Sequence, residues 1–355
     1  MPKKIIIGLA VILAIALAIT LAFYPRAKNI NLFSEKAPKP AQSPESVRQE
    51  QLMPLTHPLQ IDEMRKKVYE GSDIKIEREL PEKNNYRQFL ASYQSDGLKI
   101  NALLTVPNGE KPENGWPAII FNHGYIPPEE YKTTERYVAY VDGFAGNGYI
   151  VFKLDYRGHG DSEGNPEGAY YSPAYTIDVL NAVASVKKFK DADPNKIGMW
   201  GHSMGGSITV RSMVILKNIR AGVIWAGVVG SYDDLINRWR RRVVWHPSER
   251  EQMAHRPGRQ SLIDAYGTPE QNQNFWHSID PTFYLSDISG PIQLHHGTAD
   301  ESVLIEFSEN LKNALEKEGK TVEFYEYKNA DHNISSPDFE TAMKKSVDFF
   351  DKYLK

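Results

Sequence analysis

Lys196-Ile197-Gly198-Met199-Trp200-Gly201-His202-Ser203-Met204-Gly205-Gly206 is the stretch that decides the fold. Its first half is a short apolar run of strand type. Its second half, continued by Ser207-Ile208-Thr209-Val210, reads as a helix start. Between them stands a G-x-S-x-G sequence. A serine on so sharp a strand-to-helix turn takes strained backbone angles, and the flanking glycines let neighbouring backbone come close. The turn lifts the hydroxyl clear of the sheet, where the new helix directs its positive N-terminal dipole at any charge that forms. Glycine and serine are common, so the same five residues also describe a plain tight turn, and other segments must choose between the two.

A serine hydroxyl is a poor nucleophile until a base takes its proton, and that base needs a third group to hold its tautomer. Both follow at ends of later strands. After the apolar run Pro291-Ile292-Gln293-Leu294 comes His295-His296-Gly297-Thr298-Ala299-Asp300, and after Thr321–Tyr327 comes Lys328-Asn329-Ala330-Asp331-His332. Asp300 alone would be an ordinary turn residue with Glu301 as a rival acid, and His332 alone an ordinary surface histidine. Following Ser203 in this order, each at a strand end, they make a set. Asp331 is counted as structural. A developing oxyanion needs backbone N–H donors. The amide of Met204 is one, and Tyr125, in the loop that follows Ile119-Ile120-Phe121-Asn122-His123-Gly124, is assigned as the second. His123 is expected to stabilise that loop rather than to act in catalysis.

The same alternation governs the rest of the chain. Ile74–Leu80, Arg87–Tyr93 and Leu98–Leu104 read as early strands, the last two flanking the turn Gln94-Ser95-Asp96-Gly97 as an antiparallel hairpin. Then Ala118–Phe121, Tyr149–Leu154, Lys196–Trp200, Gly222–Trp225, Ile292–Leu294 and Val322–Tyr327 alternate with helix-length segments, closing with Phe339–Leu354. The pattern predicts an α/β domain over 61–355: a mostly parallel central sheet, helices on both faces, an antiparallel N-terminal hairpin, and chemistry at the carboxyl ends of the strands. Between 231 and 281 the alternation lapses, with Arg238, Trp239 and Arg241 in an apparent cap insertion; a solvated basic face over packed aromatics is the alternative. Glu129 and Glu130, just past the Tyr125 loop, are candidates to hold a substrate's amino terminus. Arg238, Arg241 and Trp239 are candidates for a carboxylate. Plain surface charge is the competing reading for both groups.

Composition removes several function classes. The 355 residues carry no cysteine, which excludes disulfides, thiolate metal sites and cysteine nucleophiles. A formal net charge of −3 argues against a nucleic-acid partner held by a basic surface. No histidine–carboxylate spacing resembles a zinc helix, so no metal is expected. Gly158-His159-Gly160-Asp161-Ser162-Glu163-Gly164 imitates a dinucleotide loop, but its last glycine is one residue late and no good helix pattern follows. Asn333-Ile334-Ser335 is a formal glycosylation acceptor set against the candidate base.

At the N-terminus, Lys3-Lys4 precedes an uncharged, mostly apolar run from Ile5 to Tyr24. About 20 such residues in a helix match the ~30 Å hydrocarbon core. Residues 1–24 are therefore expected to be a transmembrane anchor, with secretion after signal cleavage as the alternative, and 25–60 a proline-rich tether. The catalytic body is expected outside the cytoplasm.

With these residues assembled, the chain from about Arg87 onward resembles the α/β-hydrolase superfamily. Within it, the chain is most similar to the catalytic domain of the prolyl-oligopeptidase (S9) group of serine peptidases and its esterase relatives. Ser95-Asp96-Gly97-Leu98-Lys99-Ile100, Asn122-His123-Gly124, Asp155-Tyr156-Arg157-Gly158-His159-Gly160-Asp161-Ser162, the Gly201–Gly206 elbow, His296–Asp300 and Asp331-His332 carry the likeness. The resemblance implies Ser203 as nucleophile, His332 as base, Asp300 as orienter, an acyl-enzyme intermediate and no cofactor. Two departures leave peptide and small ester substrates both open: too little chain precedes the domain for the group's β-propeller, and the oxyanion loop reads His-Gly-Tyr-Ile-Pro-Pro where His-Gly-Gly is frequent. An acyltransferase on the same triad and a non-catalytic binding protein on the same fold are the competing readings.

Overall fold

The computed structural model describes residues 56–239, 247, 249–253 and 258–355. The expected anchor at 1–24, most of the expected tether and Arg241 lie outside these residues. Among the described residues no helix is long and apolar enough to cross a membrane.

The chain runs α1 (Ile61–Lys66), β1 (Lys75–Glu79), β2 (Tyr86–Ser95), β3 (Leu98–Pro107), β4 (Trp116–Asn122), α2 (Val138–Ala145), β5 (Ile150–Leu154), α3 (Ala174–Lys188), β6 (Ala192–His202), α4 (Met204–Ile215) and β7 (Gly222–Trp225). A helical insertion follows: one π-helical turn (Asp234–Arg238), α5 (Glu249–Met253), α6 (Arg259–Tyr266), α7 (Gln273–Ile279) and a 3₁₀ segment (Pro281–Asp287). Then come β8 (Ile292–Gly297), α8 (Ile305–Lys317), β9 (Val322–Tyr327) and α9 (Phe339–Leu354). Nine strands form one sheet in the order β1-β2-β3-β5-β4-β6-β7-β8-β9. The pairs from β1 through β3 to β5 are antiparallel, and every pair from β5 to β9 is parallel. This is the fold expected from the strand–helix alternation. The predicted hairpin is present, with Ser95 opposite Leu98 and both turn residues, Asp96 (φ 50°) and Gly97 (φ 79°), in the left-handed region that a twisted two-residue hairpin needs.

The order β5-β4-β6 places the site. From β4 the chain moves toward one edge, and from β5 it doubles back past β4 toward the other. Right-handed crossovers then put α2 on one face and α3 and α4 on the opposite face. The carboxyl ends of β4 and β6 stay side by side, with Asn122 registered against Gly201, and their loops leave in opposite directions around a crevice. Alternate residues on the buried central strands supply two cores. Ile119, Phe121, Val151 and Trp200 pack with α2 and α9. Ile120, Phe152, Met199 and Ile224 pack against α3, α4 and α8. Burying each such side chain contributes about 1.5–3 kcal/mol.

Two buried features fix what surrounds the crevice. Lys153 on β5 is fully buried, donates from Nζ to the Glu135 carbonyl at 3.1 Å, and lies over the Tyr131 ring. Asp155, also buried, accepts from Thr133 Oγ1 at 2.8 Å and from Ser162 Oγ at 3.1 Å. Burial pushes the Lys153 ammonium down and the Asp155 carboxyl up, and attraction between the two charges opposes both shifts. Together they fasten the loop before α2 to the sheet. At the other end, the packed body reaches further toward the N-terminus than residue 61. Leu59 is fully buried in a cluster with Tyr232, Leu262, Trp276 and Ile279, and its carbonyl accepts from Arg211 at 3.1 Å. A single leucine between Pro58 and Gln60 shows no periodicity, so this docking left no pattern to read.

Candidate active site

Ser203 sits at φ 54°, ψ −118°, immediately before α4. Few non-glycine residues occupy positive φ, and such a conformation costs about 1–3 kcal/mol. Surrounding bonds hold it there. The Ser203 N–H donates to the Trp225 carbonyl at 3.1 Å, and the Ser203 carbonyl accepts from Gly206 at 3.0 Å and Val228 at 2.9 Å. A side chain at Gly205 would collide with the Asn122 carbonyl oxygen at the end of β4, so that glycine is what lets the elbow touch the loop after β4. The Met204 N–H is the first amide of a twelve-residue helix and has no intrahelical acceptor.

His332 Nδ1–H donates to Asp300 Oδ2 at 2.7 Å. Asp300 is held from every side: Oδ1 accepts the Ser302 and Val303 amides at 2.7 and 2.9 Å, and Oδ2 also lies 3.1 Å from His296 Nε2. Burial alone would raise the Asp300 carboxyl, but the hydrogen bonds from His296 and His332 outweigh it and hold the group well below the usual carboxylate range. His296 is itself fixed, because its Nδ1 accepts from Ser308 Oγ at 2.7 Å. No spacing in the sequence marks His296 for this role. His295 and His296 are adjacent on β8 and therefore face opposite sides of the sheet, so only one can reach Asp300. Glu301, the rival acid, is exposed.

Ser203 and His332 line one open cleft of about 440 Å³, together with Gly124, Tyr125, Tyr137 and His202. Tyr137 and His202 form a hub between three loops. The Gly124 N–H donates to Tyr137 Oη at 2.9 Å, Tyr137 Oη–H donates to His202 Nδ1 at 2.7 Å, and His202 Nε2–H donates to the His332 carbonyl at 3.0 Å. A Cβ at Gly124 would stand 2.6 Å from Tyr137 Oη and 3.2 Å from Ser203 Cβ, so only glycine admits this contact. No sequence pattern announces Tyr137. It arrives from consecutive non-glycine residues at positive φ, Arg136 (58°) and Tyr137 (55°), and reaches across 65 residues to His202. His123 behaves as expected of a loop-stabilising residue: its Nδ1–H donates to the Gly124 carbonyl at 2.7 Å, and its ring is stacked with Tyr131.

Burial pushes the His202 imidazole down to about 3, and the positive potential of His332 adds to this. An unfolded histidine titrates near 6.5. Between those values the unfolded chain binds a proton that the folded chain refuses, so the stabilisation is full above about 6.5 and is lost as pH falls. The difference is worth about 1.4 kcal/mol per pH unit per histidine. His202→Asn is expected to flatten the slope of urea-derived stability between pH 4.5 and 5.5 by close to that amount; an unchanged slope would show that His202 accepts a proton in the folded state.

The substrate-contact candidates disperse. Tyr125 lines the cleft, and its Oη donates to the buried Glu251 of α5 at 2.6 Å, linking the loop after β4 to the helical insertion. Trp239 Nε1 donates to the Ser302 carbonyl at 2.9 Å, beside the Asp300 loop. Arg238 is paired with Asp234 at 3.0 Å, and Glu129 and Glu130 are exposed in a turn that does not line the cleft.

Comparison with known proteins agrees with this architecture. Residues 117–263 match the family model described as serine aminopeptidase, S33, and residues 258–355 match the prolyl oligopeptidase family. The chain is 26% identical over 275 residues to the uncharacterized peptidase YuxL of Bacillus subtilis, covering 75% of this chain but only 38% of that protein. It is 24% identical over 247 residues to YtmA of the same organism, covering 69% and 86% respectively. Among solved structures, the Pyrococcus horikoshii acylaminoacyl peptidase superposes with a TM-score of 0.57 at 20% identity, over 77% of this chain and 43% of that one. An acetyl xylan esterase from Paenibacillus sp. R4 superposes with a TM-score of 0.58 at 16% identity, over 90% and 97%. Both likenesses carry the fold, and the two family models are serine-hydrolase families, each matching less than half of the chain: the chain has the α/β-hydrolase fold and is similar in sequence to serine hydrolases of the S33 and prolyl-oligopeptidase (S9) families.

Proposed function

We propose that this hydrolase cleaves ester or amide bonds by a two-step acyl transfer to Ser203. The observation that carries the reading is the 2.7 Å bond from His332 Nδ1 to a depressed, fully hydrogen-bonded Asp300, in the cleft that Ser203 lines. Donation from Nδ1 leaves His332 Nε2 unprotonated and able to take the Ser203 proton. Oγ then bonds to the substrate carbonyl carbon, and the oxyanion is received by the amides of Met204 and Tyr125. Collapse breaks the bond to the leaving atom, which takes the proton from His332 Nε2. Water, deprotonated by the same nitrogen, then releases the acyl group.

Peptide and ester substrates both fit this chemistry. The names of the relatives span peptidases and an esterase. The run Ile5–Tyr24 extends the proposal to a tethered enzyme working outside the cytoplasm. One panel tests these points together. Short-chain p-nitrophenyl esters and aminoacyl or dipeptidyl anilides are assayed in salt-washed membrane and soluble fractions. Turnover of at least one class in the membrane fraction is expected. Absence of hydrolysis of either class would overturn the activity, and activity found only in the soluble fraction would overturn the tether.

A further inference from the structure

His332 must hand its proton to the leaving atom, so the leaving group lies against the His332 side of the cleft. Asn333 and Ser335, which follow His332 in the chain, line the cleft together with Tyr140 and Arg136. Tyr140 Oη donates to the Asn333 carbonyl at 2.8 Å, which joins α2 to the base loop and makes the wall continuous. Among the described residues Arg136 has no ion-pair or hydrogen-bond partner, and its side chain is exposed to the cleft.

The neighbouring charges are already matched. Lys132 pairs with Glu135 at 3.0 Å, and Lys153 is buried beneath the loop on the Glu135 carbonyl. The Asp331 carboxylate is taken by Ser335 Oγ and by the amides of Asn333 and Ser335. Among the described residues no aspartate or glutamate lines the cleft. The Arg136 backbone, meanwhile, is anchored on both sides. Thr133 and the Glu135 carbonyl tie it to the sheet, and Tyr137 Oη ties it to Gly124 and His202. An always-charged, forked donor thus starts from a fixed point in the wall that Tyr140 joins to the His332 loop, and among the described residues nothing acidic lining the cleft competes for it.

From this arrangement we infer that the preferred substrates carry an anionic oxygen group, carboxylate or phosphate, on the leaving group, and that Arg136 is the residue that selects them. The inference rests on the assignment of Ser203 and His332 given under the proposed function.

The test uses the full chain and three butanoyl esters: 4-(butanoyloxy)benzoate, 4-(butanoyloxy)phenyl phosphate and the neutral methyl 4-(butanoyloxy)benzoate. The kcat/KM ratio of each anionic ester to the neutral one is compared between wild type, Arg136→Ala and Arg136→Lys, so that intrinsic leaving-group reactivity cancels. Arg136→Ala is expected to lower at least one ratio about tenfold, the size expected of a charge-assisted contact in a partly desolvated cleft. Arg136→Lys should keep more of that preference than the alanine variant. Which ratio falls further identifies carboxylate or phosphate as the group selected. Both ratios staying within twofold of wild type, while a fluorophosphonate still labels Ser203 in every variant, overturns the role of Arg136 alone. Failure of the probe to label Ser203 in wild type overturns the underlying site assignment as well.

Discussion

Ser203→Ala will lower turnover by a factor on the order of 10⁶ and abolish labelling by a fluorophosphonate. Without the hydroxyl no acyl-enzyme can form, and only binding and the oxyanion donors remain to assist water. The backbone makes a second outcome informative. Alanine keeps a Cβ and so keeps the cost of φ 54° at this position, whereas Ser203→Gly relieves it. Glycine's greater unfolded-state freedom takes back part of that gain. Ser203→Gly should therefore be as inactive as Ser203→Ala yet more stable by on the order of 1 kcal/mol in urea unfolding. Persistent labelling of Ser203→Ala would remove Ser203 from the mechanism, and equal stability of the two variants would show that the elbow stores no strain.

Asp300→Asn is expected to lower kcat by about 10⁴, the loss seen when a triad histidine is held in the wrong tautomer. The direction follows from the local bonds. Oδ1 of Asp300 receives two backbone amides, so an asparagine would keep its carbonyl oxygen there and turn its NH₂ toward His332. His332 Nδ1 would then have to accept rather than donate, placing the proton on Nε2, where it blocks removal of the Ser203 proton. The same NH₂ would face His296 Nε2–H, leaving two donors opposed in a buried spot. Glu301→Gln, by contrast, should change kcat less than threefold. A loss of under tenfold in Asp300→Asn with a large one in Glu301→Gln would reverse the two roles.

The sheet was largely legible because its central parallel strands are buried on both faces and read as largely apolar runs, as Gly222–Trp225 does in β7; the half-buried Val322–Tyr327 also coincides with a strand, β9. The elbow was legible because its requirements are local: two glycines, a serine and a strand on one side of a helix. That Asp300 and His332 would meet, as they do in a 2.7 Å hydrogen bond, was legible because strand ends can be counted in chain order. What could not be read depends on contacts that no short window contains. Tyr137 reaches His202 only through a loop whose two left-handed residues are not glycine, and that loop is held by Lys153, an ionisable residue in the middle of a core strand. His296 required knowing which face of β8 each of two adjacent histidines takes. Residues 231–281 showed a break in alternation, but their aromatics satisfy a cluster completed by Leu59, from far upstream.

The Tyr137–His202 hub also sets how the cleft opens. The Gly124 amide, the elbow and the His332 carbonyl are ends of one chain of hydrogen bonds, so none of these loops can lift away without breaking a bond that another loop needs. Fluctuations that would be independent in separate loops are merged into one cooperative opening, with one free energy and one protection against amide exchange. The Gly124 loop and the His332 loop, both tied to this hub, are therefore expected to keep or lose their geometry together.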